Sequence, residues 1–464
     1  MNPPVLDVYK LLESFKETIA GLNQQIDELS KQVVGLTADN TSLKARLAAH
    51  EPLKDSHNSS IPPSKESIKA QALRRTRSLR EKSNRPNGGQ VGHTGSTLKT
   101  ILSPSKVVLH TPDFCTRCGN NLSSIEGTII NTRQSVDIPL PIQAIVTEHR
   151  LVQKKCTCGQ CSQLDFPKDV RSSISYGTNI RALVAYLSNV QFIPYKRTVE
   201  VIKDCWGVNL SEGTIYNMLQ DMNEKSDSAY KEIRRQVELA SVVGADESGA
   251  KVNSELYWTW VWQTSEVTYA YCNKSRGKAA IDNQFPNGLP RVTLVTDRHS
   301  SYFNMDVKKH QICLAHILRE LAYLDELDTQ QTWSTQLAEL IREAIHQRKS
   351  KAWESIDRDA VNERFRQLLE TSTVNFHQKV AALQKSLNKH QDHVFRFLQD
   401  PNVPYDNNAS ERAVRPLKVK QKVSGGFRHN LGADAFCKLH SITQTAKKNG
   451  TNALLTLIAV ANNF

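Results

Sequence analysis

The chain has 464 residues, 39% of them hydrophobic and 23% charged, which is the balance of a soluble protein with several domains. No apolar run is long enough to span a bilayer, and the polar start of the chain is unlike an export signal. We therefore expect a cytoplasmic protein with no membrane partner. The formal charge of +13 favours a polyanionic partner, and nine cysteines in an unexported chain argue against a disulfide framework.

The first 50 residues carry apolar side chains at alternating spacings of three and four. The seam runs through Leu12, Phe15, Ile19, Leu22, Ile26, Leu29, Val33, Leu36, Asn40, Leu43 and Leu47. Branched residues at a positions and leucine at d positions favour two parallel strands, and Asn40 would fix the register. We predict a coiled coil over residues 1–50 that makes a homodimer. The alternative is an amphipathic helix folded onto its own domain.

Residues 51–105 read as a basic linker rich in proline, glycine and serine. Eight lysines and arginines lie between Lys65 and Arg85, against two glutamates. Arg74, Arg75 and Arg77 are candidates for contact with a DNA backbone. The alternative is a solvated tail with no partner.

Two cysteine pairs predict a small zinc-binding module over residues 106–170. Cys115 and Cys118 form one C-x-x-C knuckle, and Cys158 and Cys161 form a second one. Four thiolates at such spacings suit a tetrahedral structural zinc ion. Cys156 could take the place of Cys158, and the alternative is a set of free intracellular thiols.

Residues 171–235 show a helical apolar pattern, interrupted by a turn at residues 207–210. Ser211 is a candidate N-cap for the helix that follows. Short helices joined by a glycine turn resemble a helix-turn-helix, and a plain three-helix packing module is the alternative.

Residues 236–464 contain two apolar strands that each lead to an acid. The first strand, residues 241–247, is predicted to carry Asp246 at its end, and the second, residues 291–297, ends at Asp297. Two further strands, residues 256–262 and 267–272, follow the first one and complete an antiparallel meander with it. Leu256 and the three tryptophans of residues 256–262 are predicted to alternate onto one face. Two such carboxylates would repel one another unless a divalent cation lay between them, so we predict oxygen-ligated Mg²⁺ or Mn²⁺.

Glu247 competes with Asp246 for this role, but successive strand residues point to opposite faces of a sheet. Only one of the two can join the site, and we choose Asp246. Asp297 has an alternative as well, because it could simply cap the helix that follows.

A polar helix face supplies a third carboxylate. Asn407, Asn408, Glu411 and Arg415 share that face by three- and four-residue spacing, and a basic stretch follows. Glu411 could instead be a capping-box partner of Asn408 at a helix start.

These motifs together resemble the DDE transposases of the bacterial insertion sequence sixty-six family, over nearly the whole chain and in order. The motifs that carry the resemblance are the heptads, His57-Asn58-Ser59-Ser60, Gly89-Gln90-x-Gly92-His93, the cysteine knuckles, Gly244-Ala245-Asp246-Glu247, Thr296-Asp297, Cys313-Leu314-Ala315-His316-x-x-Arg319, Asp406-Asn407-Asn408-x-x-Glu411-Arg412-x-x-Arg415-Pro416 and Ser441-Ile442-x-x-Thr445-Ala446-Lys447-x-x-Gly450. Arg298 and His299 follow the second acid where such proteins more usually have Gly-Tyr.

The resemblance implies a multidomain α+β protein. Its parts would be the N-terminal coiled coil, the zinc module, the helix-turn-helix-like region and a ribonuclease H-like α/β catalytic domain with a helical insertion at about 314–399. It implies a catalytic triad of Asp246, Asp297 and Glu411 that binds Mg²⁺ or Mn²⁺.

The same resemblance implies partners and a place in the cell. The expected partners are double-stranded DNA, as element ends and target, and accessory proteins encoded by the element. Arg412, Arg415 and Lys418 would contact that DNA, and the protein would be associated with the bacterial nucleoid. Two rival interpretations are a non-catalytic, dimeric, zinc-containing DNA-binding regulator and a degenerate transposase that retains only nuclease activity.

Overall fold

A computed structural model describes residues 5–50, 101–136, 142–155, 157–158, 161–167, 170 and 172–462. The chain divides into two compact units. The insertion unit comprises Met1–Leu79 and Asn287–Asn408, and the meander unit comprises Arg80–Pro286 and Ala409–Phe464. Arg74, Arg75, Arg77 and Cys156 lie outside the described residues.

The N-terminal seam lies on one long helix, α1 (Val5–His50). The side chains of Phe15, Ile19, Leu22, Ile26, Leu29, Val33 and Leu36 are each 52–68% exposed. The helix is confirmed, and its pairing with a second helix stays a prediction. An apolar stripe of this length is costly to leave in water, which is why a partner helix is expected.

The region of the cysteine knuckles has little regular structure in its described part. Strands β1 (Lys154–Lys155) and β2 (Cys161–Ser162) form a short antiparallel hairpin in which Lys155 lies opposite Cys161. The second C-x-x-C pair therefore belongs to a hairpin, with Cys158 in its turn.

A helical region precedes the meander. Its helices are α2 (Thr178–Ala185), which continues as a π-helical turn over Tyr186–Val190, α3 (Tyr195–Trp206), α4 (Glu212–Lys225) and α5 (Asp227–Leu239). Gly207 ends α3 in the left-handed conformation at φ 67°, and the Ser211 hydroxyl accepts a hydrogen bond from Thr214 N–H at 3.0 Å. The predicted N-cap is confirmed.

Three antiparallel strands form the meander itself: β3 (Val242–Val252), β4 (Glu255–Gln263) and β5 (Thr268–Asn273), followed by the short α6 (Lys278–Asp282). Asp246 lies opposite Val261, which lies opposite Ala270. Residues directly opposite one another share a face of the sheet. We name the face with Asp246, Val261 and Ala270 the Asp246 face.

We name the opposite side of the meander the aromatic face. It carries the residues that precede and follow Asp246, Val261 and Ala270 along their strands. Glu247 lies opposite Trp260, and Trp260 lies opposite Tyr271. Trp260 and Trp262 are fully buried there, and Trp262 packs edge-on against Phe285 at 4.8 Å between ring centroids. The predicted alternation of the tryptophans onto one face is confirmed.

Three C-terminal helices belong mainly to the meander unit. By their place along the chain they are α12 (Asn408–Ser424), α13 (Asn430–Lys448) and α14 (Ala453–Asn462). Val414 and Leu417 of α12 pack with Val261 and Ala270, and Phe436 of α13 joins the same core. Helices α12 and α13 therefore cover the Asp246 face.

Helix α13 also closes the free edge of β5. The Ser441 hydroxyl accepts a hydrogen bond from Ala270 N–H at 2.9 Å, and the Thr445 hydroxyl accepts one from Thr268 N–H at 3.0 Å. Unpaired N–H groups on an edge strand would otherwise be open to pairing with another strand. The Ser441-x-x-x-Thr445 spacing thus has a structural cause.

The insertion unit holds two parallel strands, β6 (Leu289–Thr296) and β7 (Val307–Ile312), joined through α7 (Ser300–Phe303). Beyond β7 follow α8 (Leu314–Leu327), α9 (Trp333–Ser350), α10 (Arg358–Glu370), α11 (Gln378–Lys389) and three short 3₁₀ turns, Trp353–Ser355, Gln391–His393 and Arg396–Leu398. Residues 314–399 are thus mainly helical.

A buried glutamine on β7 ties the end of the helical segment back to the strands. The Gln311 side chain donates to the carbonyl of Val394 at 2.8 Å and accepts from Phe397 N–H at 2.8 Å. Its fully buried amide is therefore paired at both ends.

The fold is mixed α/β, with an antiparallel meander in one unit and a parallel pair in the other. One detail of the prediction is wrong: β3 does not end at Asp246 but continues to Val252, because residues 248–252 pair with the start of β4. None of the helices in the described residues is both long and apolar enough for a bilayer.

Candidate active site

Asp246 lies in the middle of β3, half-buried on the Asp246 face. Its Oδ1 accepts the backbone N–H of Glu247 at 2.9 Å, which fixes the orientation of the carboxylate close to its own strand. A short side chain on the central part of a strand is a well-defined support for a metal ligand.

Glu247 points the other way and has a partner of its own. Its side chain is 2% exposed and accepts two hydrogen bonds from the guanidinium of Arg276, at 2.8 and 3.0 Å. Arg276 in turn lies 4.5 Å from the ring centroid of Trp258. The two adjacent acids therefore have different surroundings, as the strand period predicts.

Glu411 occupies the first turn of α12 and is half-buried. Val414, three residues further on, packs against Val261 and Ala270 on the Asp246 face. Because residues three apart lie on one side of a helix, Glu411 is directed toward the same face of the meander. Asp246 and Glu411 thus lie on one side of the sheet within one unit.

Asp406 lies just before the start of α12 and bonds to its first residue. Asp406 accepts the backbone N–H of Asn408 at 3.2 Å and its side-chain amide at 2.6 Å. Asp406 therefore contributes hydrogen bonds at the start of this helix.

The cations predicted to contact DNA lie on the outside of α12. Arg412, Arg415 and Lys418 are all exposed, while Val414 and Leu417 are buried. Helix α12 also continues through Pro416 to Ser424, well past the polar segment that predicted it. A proline there lacks the N–H that would bond the carbonyl of Arg412.

Asp297 follows directly after β6 in the insertion unit, as predicted, and is half-buried. Its Oδ1 accepts the backbone N–H of His299 at 3.0 Å. The cap of α7 is His299 itself, whose side chain accepts from Ser301 N–H, so Asp297 is not the N-cap of that helix.

The loop after Asp297 is held in place by Arg298. Its guanidinium forms an ion pair with Glu320 of α8 and donates to Ser386 of α11 at 3.1 Å. Its contacts with two helices of the insertion unit give the loop after the second acid a defined position.

The Cys-Leu-Ala-His motif lies where the chain passes from β7 into α8. Cys313 is buried at the N-cap of α8, and its Sγ accepts the backbone N–H of Asn407 at 3.1 Å. Leu314 N–H donates to the carbonyl of Tyr405 at 2.9 Å. The segment that leads into α12 is thereby attached to the end of β7, inside the insertion unit.

The first cysteine knuckle has the expected turn. Cys115 N–H donates to the carbonyl of Asn120 at 2.8 Å, and Gly119 adopts a φ of 75° and donates to the carbonyl of Cys115. Hydrogen bonds from the backbone N–H groups of Arg117 and Cys118 and from the Cys118 thiol lower the pKa of the Cys115 thiol. A lowered pKa favours the thiolate, which is the form that binds metal.

The second knuckle does not complete a thiol cluster in the described residues. Cys158 is exposed, and no three cysteine thiols with described side chains lie within 4.8 Å of one another. The side chain of Cys161 lies outside the described set.

The arrangement in the meander unit provides carboxylate oxygens on one side of a sheet, next to a helix with an exposed row of cations. Carboxylate oxygens are the preferred ligands of Mg²⁺ and Mn²⁺, and exposed arginines suit phosphate. The donor set therefore fits a divalent cation and a phosphodiester. The sequence did not predict that Arg276 pairs with Glu247. The two residues are 29 positions apart, and only the fold brings Arg276, which follows β5, to Glu247.

A family model described as "Transposase IS66 family" matches residues 173–435, which is more than half of the chain. A second model, "Family of unknown function (DUF6444)", matches residues 13–99. No curated protein matches the chain.

Proposed function

The chain belongs to the transposase IS66 family, and on that premise we propose that it cuts the ends of an insertion sequence and joins them to target DNA by metal-dependent phosphoryl transfer. The observation that carries this proposal is the position of Glu411. Its helix covers the face of the meander to which Asp246 belongs, within one compact unit.

We propose Asp246, Asp297 and Glu411 as the ligands of the catalytic cation. An antiparallel meander followed by parallel strands is compatible with a ribonuclease H-like domain, and each acid lies on or next to a regular element of it. Bound Mg²⁺ or Mn²⁺ would supply Lewis-acid activation of the attacking oxygen and neutralise charge on the phosphate.

The protein's own groups would orient the DNA. Exposed Arg412, Arg415 and Lys418 on α12 would bind phosphates next to the cut strand, since guanidinium groups form paired hydrogen bonds with phosphate oxygens. The half-buried carboxylates would stay in place because β3 pairs with β4 along its length and α12 packs over the same face.

Two accessory roles complete the proposal. Zinc held by Cys115, Cys118, Cys161 and either Cys158 or Cys156 would stabilise the module before the helices, and the turn at Cys115 supports it. Pairing of α1 in two chains would cover the exposed seam and bring two DNA ends into one complex.

The test uses the purified full chain and duplex DNA that carries the element's terminal inverted repeats. With Mg²⁺ or Mn²⁺ we expect nicks at the element ends, followed by joined products with a target plasmid. Both should disappear in EDTA and in Asp246→Asn, Asp297→Asn and Glu411→Gln variants that melt as the native protein does.

The two rival interpretations predict different results in this assay. Binding of the repeats without nicking, unchanged by Asp246→Asn, would support the non-catalytic regulator and overturn the enzymatic proposal. Nicking without joining would support the nuclease-only alternative. Zinc analysis of Cys115→Ser protein tests the structural ion separately, with a loss of about one equivalent per chain expected.

A further inference from the structure

Lys420 is the fourth member of the buried stripe of α12, after Ser410, Val414 and Leu417. Its side chain is only 7% exposed, although it sits among residues that read as a basic surface in the sequence. The helical period directs it inward, toward α3 and α13.

The ammonium of Lys420 lies between two aromatic rings. Its Nζ is 5.9 Å from the ring centroid of Tyr195, the first residue of α3, and 5.7 Å from that of Phe436 on α13. Within the part of the chain that the structure describes, this ammonium forms no hydrogen bond and no ion pair. Burial alone lowers the pKa of Lys420, to about 8.

Two other lysines of the meander unit have oxygen acceptors for their ammonium groups. Lys448 donates to three oxygens, those of Gln263, Thr264 and Val267, at 2.6–3.0 Å. Lys225 donates to the carbonyl of Ala461 at 2.9 Å. Lys420 has two aromatic rings where these lysines have oxygen acceptors, and contact with aromatic rings stabilises an ammonium by only about 0.5–2 kcal/mol.

The surroundings of Lys420 are cationic. Lys196 and Arg197 are exposed on the first turn of α3, directly after Tyr195, and α3 has no side-chain N-cap. Burial raises the pKa of the Tyr195 phenol, and the positive charge of exposed Arg428 nearby partly opposes this rise. Three cations thus lie near Tyr195, the ring beside which the Lys420 ammonium lies.

The backbone just before Arg428 is held in a fixed position. Phe427 N–H donates to the carbonyl of Lys251 at 2.8 Å, and Asn253 N–H donates to the carbonyl of Phe427 at 2.8 Å. A Cβ on Gly426 would lie 2.7 Å from the carbonyl oxygen of Lys251, so only glycine allows this close approach. The loop before Arg428 is thereby attached to the end of β3.

We propose that Lys420, with Tyr195 and the cations Lys196, Arg197 and Arg428, forms a binding site for a phosphate of the DNA backbone. The inference rests on the proposed function, because it takes DNA as the partner. Nine residues of helix separate Lys420 from Glu411, a rise of about 14 Å. That distance corresponds to about four base-pair steps. The site would thus hold the duplex a few steps away from the cut phosphate and fix its register.

The test measures binding without chemistry. A fluorescein-labelled duplex of about 40 base pairs is titrated with the full chain in EDTA, and fluorescence anisotropy gives Kd between about 50 and 200 mM salt. We expect Lys420→Met to weaken binding about tenfold and to lower the slope of log Kd against log salt by about one. Lys448→Gln, which alters a partnered lysine of the same unit, should bind within about twofold of the native chain.

The outcomes separate this site from the general function. If the native chain binds the duplex and Lys420→Met binds it with the same Kd and salt slope, the phosphate site is overturned. The transposase proposal is unaffected by that result. Absence of duplex binding by the native chain would overturn both. Should the Met variant fail to fold, Lys420→Gln is measured instead, with the same loss and the same reduced slope expected and an unchanged slope as the contrary result.

Discussion

The two faces of the meander carry adjacent acids with different surroundings. On the aromatic face, Glu247 is buried and paired with Arg276 beside the tryptophans. On the Asp246 face, Asp246 is half-buried beneath the helix that carries Glu411 and a row of cations. The comparison teaches that the strand period gives adjacent acids different surroundings; under the proposed function, Glu247 contributes to stability and Asp246 binds the cation.

The largest expected effect is on the Asp246 face. Asp246→Asn should reduce nicking of terminal-repeat DNA by on the order of a thousandfold or more, because an amide is a poor ligand for the cation and leaves charge on the phosphate unopposed. The melting temperature should change little. Gel analysis of end-labelled DNA and a thermal melt of the same preparation measure both.

The aromatic face should show the opposite pattern. Arg276→Met removes the partner of a carboxylate that is 2% exposed, so we expect the free energy of unfolding to fall by about 1–3 kcal/mol, moderated because Arg276 is itself partly exposed. Nicking per folded molecule should persist. Urea unfolding and nicking assays on one sample test this pair of results. Loss of nicking with native stability would contradict the separation of the two faces.

The closed edge of β5 gives a smaller effect on stability. Ser441→Ala leaves the buried Ala270 N–H without its acceptor, and the free energy of unfolding should fall by about 1–2 kcal/mol. Thr443→Ala is the matched control, because the Thr443 hydroxyl donates only to carbonyls of its own helix. Equal losses in the two variants, measured by urea unfolding, would show that the contact with β5 contributes nothing.

A further expected effect is on the pH dependence of stability. His440 of α13 is fully buried behind Phe436, and burial lowers its pKa to about 4. The unfolded chain takes up this proton near pH 6.5 and the folded chain only near pH 4, so stability should fall as the pH drops between these values. His440→Phe should flatten that slope in melts from pH 7.5 to pH 4.5. An unchanged slope would exclude His440 as its source.

Much of the meander was predictable from local pattern. The alternating tryptophans predicted strand β4. The apolar run before Asp297 predicted that this acid follows the end of β6. The length of β3 was not predictable in this way, because residues 248–252 have weak strand preference and are extended only by pairing with β4. Helix α12 likewise continues through Pro416 because Leu417 and Lys420 are buried beyond it.

The candidate site was only partly visible in the sequence. Strand period alone separated Asp246 from Glu247, since a period of two fixes opposite faces whatever the partners are. Arg276 and the aromatic surroundings of Lys420 could not be predicted, because these contacts join residues that are far apart in the chain. In the sequence Lys420 is simply one of several lysines on a basic helix.

The most direct test of the account is to locate the bound cation. Fe²⁺ in place of Mg²⁺, with ascorbate and hydrogen peroxide, cuts a polypeptide next to the bound ion. We expect cuts near residues 246, 297 and 411 in the same protein, all suppressed by excess Mg²⁺ and all lost in Asp246→Asn. Cuts near only one of these residues, or a pattern that Asp246→Asn leaves unchanged, would contradict a shared three-carboxylate centre.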